Sequence, residues 1–152
     1  MAVQDQEHRT GGVVEQPAAE VDEHRAVQVA VVGGGDVAID AARSAWRLGA
    51  GEVHLIYRRS QADMPAHRAE VEAAQKEGVQ FHFLTNPVRV VGDGRVTGVV
   101  LQRQELGAFD GSGRRRPVPI AGSEFTLDVD VLIPAVGQEP DVLTVERARA
   151  VA

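Results

Sequence analysis

An α/β fold, with a parallel sheet, flanking helices and an inserted antiparallel β-meander, is predicted by three features of the sequence. The apolar, β-branched run Val27-Gln28-Val29-Ala30-Val31-Val32 stops at three glycines and gives way to alanine-rich helical spacing. A second apolar run starts about twenty residues after the first, the separation that a right-handed βαβ crossover needs. Farther along, Gly92-Asp93-Gly94-Arg95 stands between two strand-like runs, a hairpin signal that introduces antiparallel pairing.

Taken in order, residues 1–26 mix Gln, Glu, Asp, Gly and Pro17 without any period and are expected to be a flexible leader. The first strand follows. Val37, Ala38, Ala41, Ala42, Ala45 and Leu48 then recur at helical spacing, with Gly49 where a left-handed cap falls. Val53-His54-Leu55-Ile56-Tyr57 makes the second strand. A second helix is expected from about Ala66 to Glu77, with Asp63 as its cap, Pro65 in its first turn and Gly78 as its stop. Val79 to Leu84, with Phe81 and Phe83 on one face, makes a third strand. The hairpin pairs Val88–Val91 with Val96–Leu101, and Phe109 to Ser123 is expected to be a polar loop. Phe125-Thr126-Leu127 leads into a last strand, Val129 to Ile133, and residues 142–152 form a tail beyond a domain spanning 27–141.

Composition narrows the function. The 152 residues, 43% of them hydrophobic, suit one globular domain with a real core. A formal net charge of −6 argues against nucleic acid, whose binding needs a concentrated positive surface. Lys76 is the single lysine among 16 basic residues, so any one arginine carries little information. With no cysteine, the chain holds no disulfide, redox thiol pair or cysteine-ligated iron–sulfur cluster, and redox chemistry here requires an organic cofactor. Neither a secretory signal nor an apolar run of membrane-spanning length is present, so a cytoplasmic protein is expected.

The three glycines carry the chemistry. Gly33-Gly34-Gly35-Asp36-Val37-Ala38 fits G-x-G-x-x-A, the dinucleotide fingerprint of a Rossmann-like NAD(P)-binding domain. In that pattern the first glycine permits the tight turn, the second admits a pyrophosphate to the backbone, and the small sixth residue lets helix pack on strand. The helix N-terminus then offers unpaired amides and about half a positive charge to the phosphates. Where NAD-binding proteins place an acid for the ribose 2′-hydroxyl, this chain has Tyr57-Arg58-Arg59-Ser60. Arg58 and Arg59 suit charge-assisted bonds to a 2′-phosphate, with Ser60 adding a hydroxyl, so NADP(H) is expected over NAD(H).

Other candidates are weaker. His54 and His82 fall on neighbouring strands but nothing supplies further ligands, so no metal site is expected. Arg114-Arg115-Arg116 reads as a solvated loop, with docking on an acidic partner surface as the alternative. Gly111-Ser112-Gly113 lacks the strand-to-helix context of a nucleophile elbow, and no residue is assigned a catalytic role.

From about Val27 to Asp141 the chain resembles the NADPH-binding domain of the glutamate synthase small (beta) subunit and related NADPH-dependent flavoproteins, including dihydropyrimidine dehydrogenase. The resemblance rests on Val31 through Arg43, on Tyr57-Arg58-Arg59-Ser60 with Met64-Pro65, and on Glu77-Gly78-Val79. It continues through Gly113-Arg114-Arg115-Arg116-Pro117-Val118-Pro119 and the closing Ile133-Pro134-Ala135-Val136-Gly137-Gln138-Glu139-Pro140-Asp141. It implies that Gly33, Gly34, Gly35, Asp36 and Val37 hold the pyrophosphate, Arg58 and Arg59 the 2′-phosphate, and Ala135, Val136 and Gly137 the reactive end of the cofactor. Asp36 stands where relatives commonly carry asparagine, which changes one polar contact.

In that family NADPH gives hydride to FAD, and electrons leave through iron–sulfur centres. This sequence lacks the two flavin-binding segments and the iron–sulfur cysteines. Two readings follow: part of an FAD-dependent oxidoreductase whose flavin-binding segments or subunit, and an iron–sulfur electron-transfer subunit, are separate; or a non-catalytic, free-standing NADPH-binding module or degenerate remnant.

Overall fold

The computed structural model describes residues 25–137; residues 1–24 and 138–152, which include most of the expected leader and all of the expected tail, lie outside the described residues. Eight strands and two α-helices follow in the order β1 Gln28–Val32, α1 Asp36–Arg47, β2 Glu52–Ile56, α2 Arg68–Glu77, β3 Gln80–His82, β4 Thr85–Val91, β5 Gly98–Phe109, β6 Arg115–Pro119, β7 Phe125–Asp128 and β8 Val131–Pro134. Four of the strands make a parallel sheet in the order β3-β2-β1-β8. The others form an antiparallel sheet around β5, which pairs β4 along one side and β7 then β6 along the other.

Period two along β1 and β2 explains how the layers stack. Val29, Val31, Val53 and Leu55 face α1 and α2, where Ala38, Ile39, Ala42, Val71 and Ala74 close one core. The alternate residues Ala30 and Ile56 face the antiparallel sheet, where Val99, Leu101 and Val129 close a second. Both faces of the parallel sheet are therefore covered, as its unbroken apolar runs require. Small alanines on α1 let the helix lie close to β1, and Arg43 ties α1 to α2 through Glu77, with 2.8 Å from Nη2 to Oε1, and through Glu70. That pairing holds the Glu77 carboxyl below its ordinary range and raises Arg43.

The structure departs from the sequence expectation at three places. α2 starts at Arg68 instead of Ala66, because Asp63 is engaged elsewhere: it closes a 3₁₀ turn over Gln61–Asp63, its carboxylate accepting from the Ser60 hydroxyl at 2.6 Å and amide at 3.3 Å. Met64, before Pro65, is held extended, and the Ala66 amide donates to Gly34 O at 3.1 Å. The loop expected over Phe109–Ser123 contains β6, paired antiparallel with the far half of β5. Its composition hid it: Pro117 and Pro119 lack an amide to donate, which an edge strand tolerates. Finally, Phe125 to Ile133 is two strands on two sheets, β7 on β5 and β8 on β1, joined at buried Val129. Asp130 marks the crossing; its carboxylate accepts from the Gln28 amide at 2.8 Å and pairs with Arg25.

His54 and His82 meet beneath the antiparallel sheet, Nδ1 of the former 3.0 Å from Nε2 of the latter. Among the described residues no group of three or more His, Cys, Asp or Glu side chains is placed to hold a metal ion. Burial, then the charges of His54 and Arg103, hold His82 below its ordinary pKa of 6.5; Glu52 approaches the other nitrogen of His54 at 3.3 Å. The unfolded chain therefore binds more protons than the folded one once pH falls below that value, and stability falls with it. We expect the urea midpoint to drop between pH 7.5 and 5.5, with a slope that one titrating group limits to about 1.4 kcal/mol per pH unit. The His82→Gln variant should lose most of this dependence; an unchanged slope in that variant would assign the effect to other groups.

Candidate functional site

The site begins where β1 ends. The Gly33 amide donates to Ile56 O of β2 at 3.0 Å, and Ala135 N, just past β8, donates to Val32 O at 2.7 Å, so three strand ends converge on the glycine turn. Gly33 has φ 148, and a Cβ there would overlap the Ala135 carbonyl and crowd Ala38. A Cβ at Gly34 would overlap the Tyr57 ring. Gly35 differs: nothing of the protein lies within 4 Å of the place a Cβ would take, and its backbone is ordinary extended chain at φ −90. The protein's own packing accounts for the first two glycines, whereas at the third nothing in the surrounding protein requires a bare backbone.

Stability data can separate these cases. Gly33→Ala should lower the melting temperature sharply, since a strained backbone costs about 1–3 kcal/mol before any clash is counted. A melting temperature within a degree of the parent's would contradict the close approach of Ala135.

Gly35 caps α1 without a side-chain hydrogen bond, so helix geometry leaves the first-turn amides, those of Asp36, Val37 and Ala38, without intrahelical acceptors. Asp36, first residue of α1, turns its carboxylate to His67, accepting from the amide at 2.9 Å and from Nδ1 at 2.8 Å. Those bonds hold the Asp36 carboxyl below its ordinary range. Sequence gave no sign of His67 as its partner, because the two are joined only by the fold.

One cavity of about 920 Å³ runs from this turn across the carboxyl ends of the parallel strands. Its walls include Gly34, Gly35, Asp36, Val37, Arg58 and Arg59, and on the β8 side Ala135, Val136 and Gly137. Such a crevice at the strand carboxyl ends is where open α/β sheets bind ligands. Of the residues expected at the site, Gly33 supports the turn from behind, and Ser60 is absent from the cavity wall, its hydroxyl bound to Asp63. Val37 and Val136 are about three-quarters exposed at the lip, at 72% and 73%.

The two adjacent arginines are not equivalent. Arg58 is exposed, while Arg59 is only 6% exposed and pairs through Nη2 with Asp110 at 3.4 Å. Its Nη1 is buried without a hydrogen-bond partner. Arg59 lines the cavity, and a guanidinium with one nitrogen unsatisfied is suited to an anionic acceptor brought in from solution. Tyr57 and Arg114 complete that end of the cavity. Arg114 comes from the turn before β6; its arginine run reads in sequence as a solvated or docking loop and not as part of this site, because such a run in an arginine-rich chain says little.

A family model described as pyridine nucleotide-disulphide oxidoreductase matches residues 3–151. The chain is 58% identical over 115 residues to the NADP(+)-dependent formate dehydrogenase subunit beta of Moorella thermoacetica, covering 75% of this chain and 16% of that protein. It is 46% identical over 115 residues to the glutamate synthase [NADPH] small chain of Azospirillum brasilense, covering 76% of this chain and 24% of that one. Among solved structures, FprA of Mycobacterium tuberculosis in complex with NADPH matches 75% of this chain and 39% of its own, with TM-score 0.63 and 21% identity, a likeness of fold. Thioredoxin reductase from Giardia duodenalis matches at TM-score 0.56 and 27% identity, over 76% of this chain and 32% of its own.

Proposed function

The chain belongs to the pyridine nucleotide-disulphide oxidoreductase family, and on that premise we propose that residues 27–141 are the NADP(H)-binding domain of an FAD-dependent oxidoreductase of the glutamate synthase small-subunit kind. The observation that carries this reading is the single cavity that joins the glycine turn, Arg58 and Arg59, and the Ala135–Gly137 backbone. Its three regions match in kind a pyrophosphate, a 2′-phosphate and a nicotinamide ring.

The residues present fit that cofactor. Gly35 leaves room for a phosphate against bare backbone, the free amides of α1 favour its charge, and Arg59 Nη1 awaits an acceptor. In the proposed complex Gly33 to Val37 hold the pyrophosphate, Arg58 and Arg59 bind the 2′-phosphate, and Ala135, Val136 and Gly137 position the nicotinamide end. When bound, NADPH supplies a hydride to FAD, with a proton from solvent completing the reduced flavin. This chain's part is to bind and orient. The flavin is assigned to other segments or another subunit, consistent with matches that cover 16% to 24% of the curated relatives described above.

Those relatives carry names of subunits or chains of larger enzymes, which supports a partner subunit here. An iron–sulfur electron-transfer subunit is the partner we propose. A cytoplasmic location belongs to the same proposal; among the described residues no helix is long and apolar enough to cross a membrane.

Calorimetric titration of the full chain with NADPH and NADH tests the reading. NADPH is expected to bind at least about tenfold more tightly, the least that one added charge-assisted contact provides. Failure of a folded chain to bind either nucleotide would sink it.

A further inference from the structure

Arg114 lies far in sequence from the two arginines at the end of β2, yet it lines the same cavity. The turn that carries it is tightly built. The Asp110 amide donates to Arg114 O at 2.7 Å, and the Gly113 amide donates to Asp110 O at 3.1 Å. The Asp110 carboxylate gathers the turn around one oxygen, accepting from the Ser112 amide at 2.9 Å, the Ser112 hydroxyl at 2.5 Å and the Arg114 amide at 3.3 Å. Its other oxygen holds Arg59 Nη2 at 3.4 Å. Asp110 thus ties the β5–β6 turn to the buried arginine, and the Ser112 bonds hold its carboxyl down at about 2, so it remains charged at any working pH.

The three consecutive arginines divide by role. Arg115 is bound back onto its own hairpin, its guanidinium donating to Gly107 O at 2.9 Å and Leu106 O at 2.5 Å. Arg116 is exposed and absent from the cavity wall. Arg114 faces the cavity and makes no ion pair among the described residues. Arg58, Arg59 and Arg114 line the cavity together with Tyr57, and all three charges act on the Tyr57 hydroxyl, that of Arg114 most strongly. Beside them lies the unsatisfied, buried Nη1 of Arg59.

We propose that Arg114 is a specificity-determining residue of this site, a third cation, carried by the antiparallel sheet, that grips the 2′-phosphate of a 2′-phosphorylated adenosine together with Arg58 and Arg59. This rests on the NADP(H) reading above and extends it: the place expected for Ser60, whose hydroxyl is committed to Asp63, passes to Arg114. The meander thereby takes part in choosing between NADPH and NADH.

The full chain, with Arg114→Gln, Arg114→Lys and Arg116→Gln variants, is titrated calorimetrically with NADPH, NADH, adenosine 2′,5′-bisphosphate and adenosine 5′-monophosphate. Circular dichroism checks that each variant is folded. In Arg114→Gln, affinity for NADPH and the bisphosphate should fall about tenfold, as loss of one charge-assisted contact implies, with NADH and the monophosphate changed less than about twofold. The lysine variant should recover part of the loss, and Arg116→Gln should match the parent. If the parent prefers NADPH but Arg114→Gln keeps the same NADPH-to-NADH ratio, the proposal is overturned while the NADP(H) reading stands. A parent chain without any preference for NADPH overturns both.

Discussion

Replacing Gly35 with valine is expected to remove nucleotide binding while leaving the chain folded. The substitution adds a side chain at a position where nothing of the protein lies within 4 Å and where the backbone is ordinary extended chain. Valine is a poorer helix cap than glycine, at a cost on the order of 1 kcal/mol, too little to unfold the chain. If a pyrophosphate rests on the amides beyond Gly35, however, the new side chain occupies its approach. NADPH and NADH share that pyrophosphate, so both should weaken together, by about 100-fold or roughly 2.7 kcal/mol. Melting curves in the absence of nucleotide should stay cooperative and fall by only a few degrees. Binding that survives in a folded Gly35→Val chain would place the phosphates elsewhere and remove the main support for a dinucleotide site. This pattern is the reverse of that expected for Gly33, where the protein itself occupies the space.

The second large effect falls on one nucleotide alone. Changing Arg58 and Arg59 together to alanine should reduce NADPH affinity about 100-fold, because a hydrogen bond to a charged group contributes about 1.5–3 kcal/mol and two such partners are lost. NADH, which offers them no phosphate, should bind within about threefold of the parent, so the two affinities converge. The effect should shrink with added salt at Arg58, which is exposed, and less at Arg59, which is shielded. Since Arg59 is buried and paired with Asp110, its truncation also disturbs packing; Arg58→Ala alone provides the surface control. Equal losses for both nucleotides in folded variants would mean that these arginines do not read a 2′-phosphate.

The glycine turn and its surroundings were legible in sequence because local rules determine them. β1, the turn, α1 and β2 combine an unbroken apolar run, a fixed glycine spacing and a helical period, and each constrains the next. β6 was not legible. Arg115-Arg116-Pro117 has the composition of a loop, and only pairing with β5, itself carrying the polar stretch Gln102 to Glu105, makes it a strand. Tertiary pairing overrode local preference there, as it commonly does in sheets. The same distinction holds within the site. Arg58 and Arg59 stand at a fixed offset from the glycines, whereas Asp110, Arg114 and His67 reach it through long-range contacts, Arg59 to Asp110 and Asp36 to His67 among them.

β1 finds one of its two neighbours very late in the chain, for Val29 pairs with Val131 and Gly33 packs against Ala135. Between them the polypeptide must leave the parallel sheet, complete the whole meander and return. A nascent chain emerging from the ribosome therefore carries its glycine fingerprint long before it can use it, and closure of so large a loop is among the slower steps of folding. On the NADP(H) reading, affinity is thus withheld from partly folded forms, and the nucleotide stabilises by mass action only molecules in which β8 has docked.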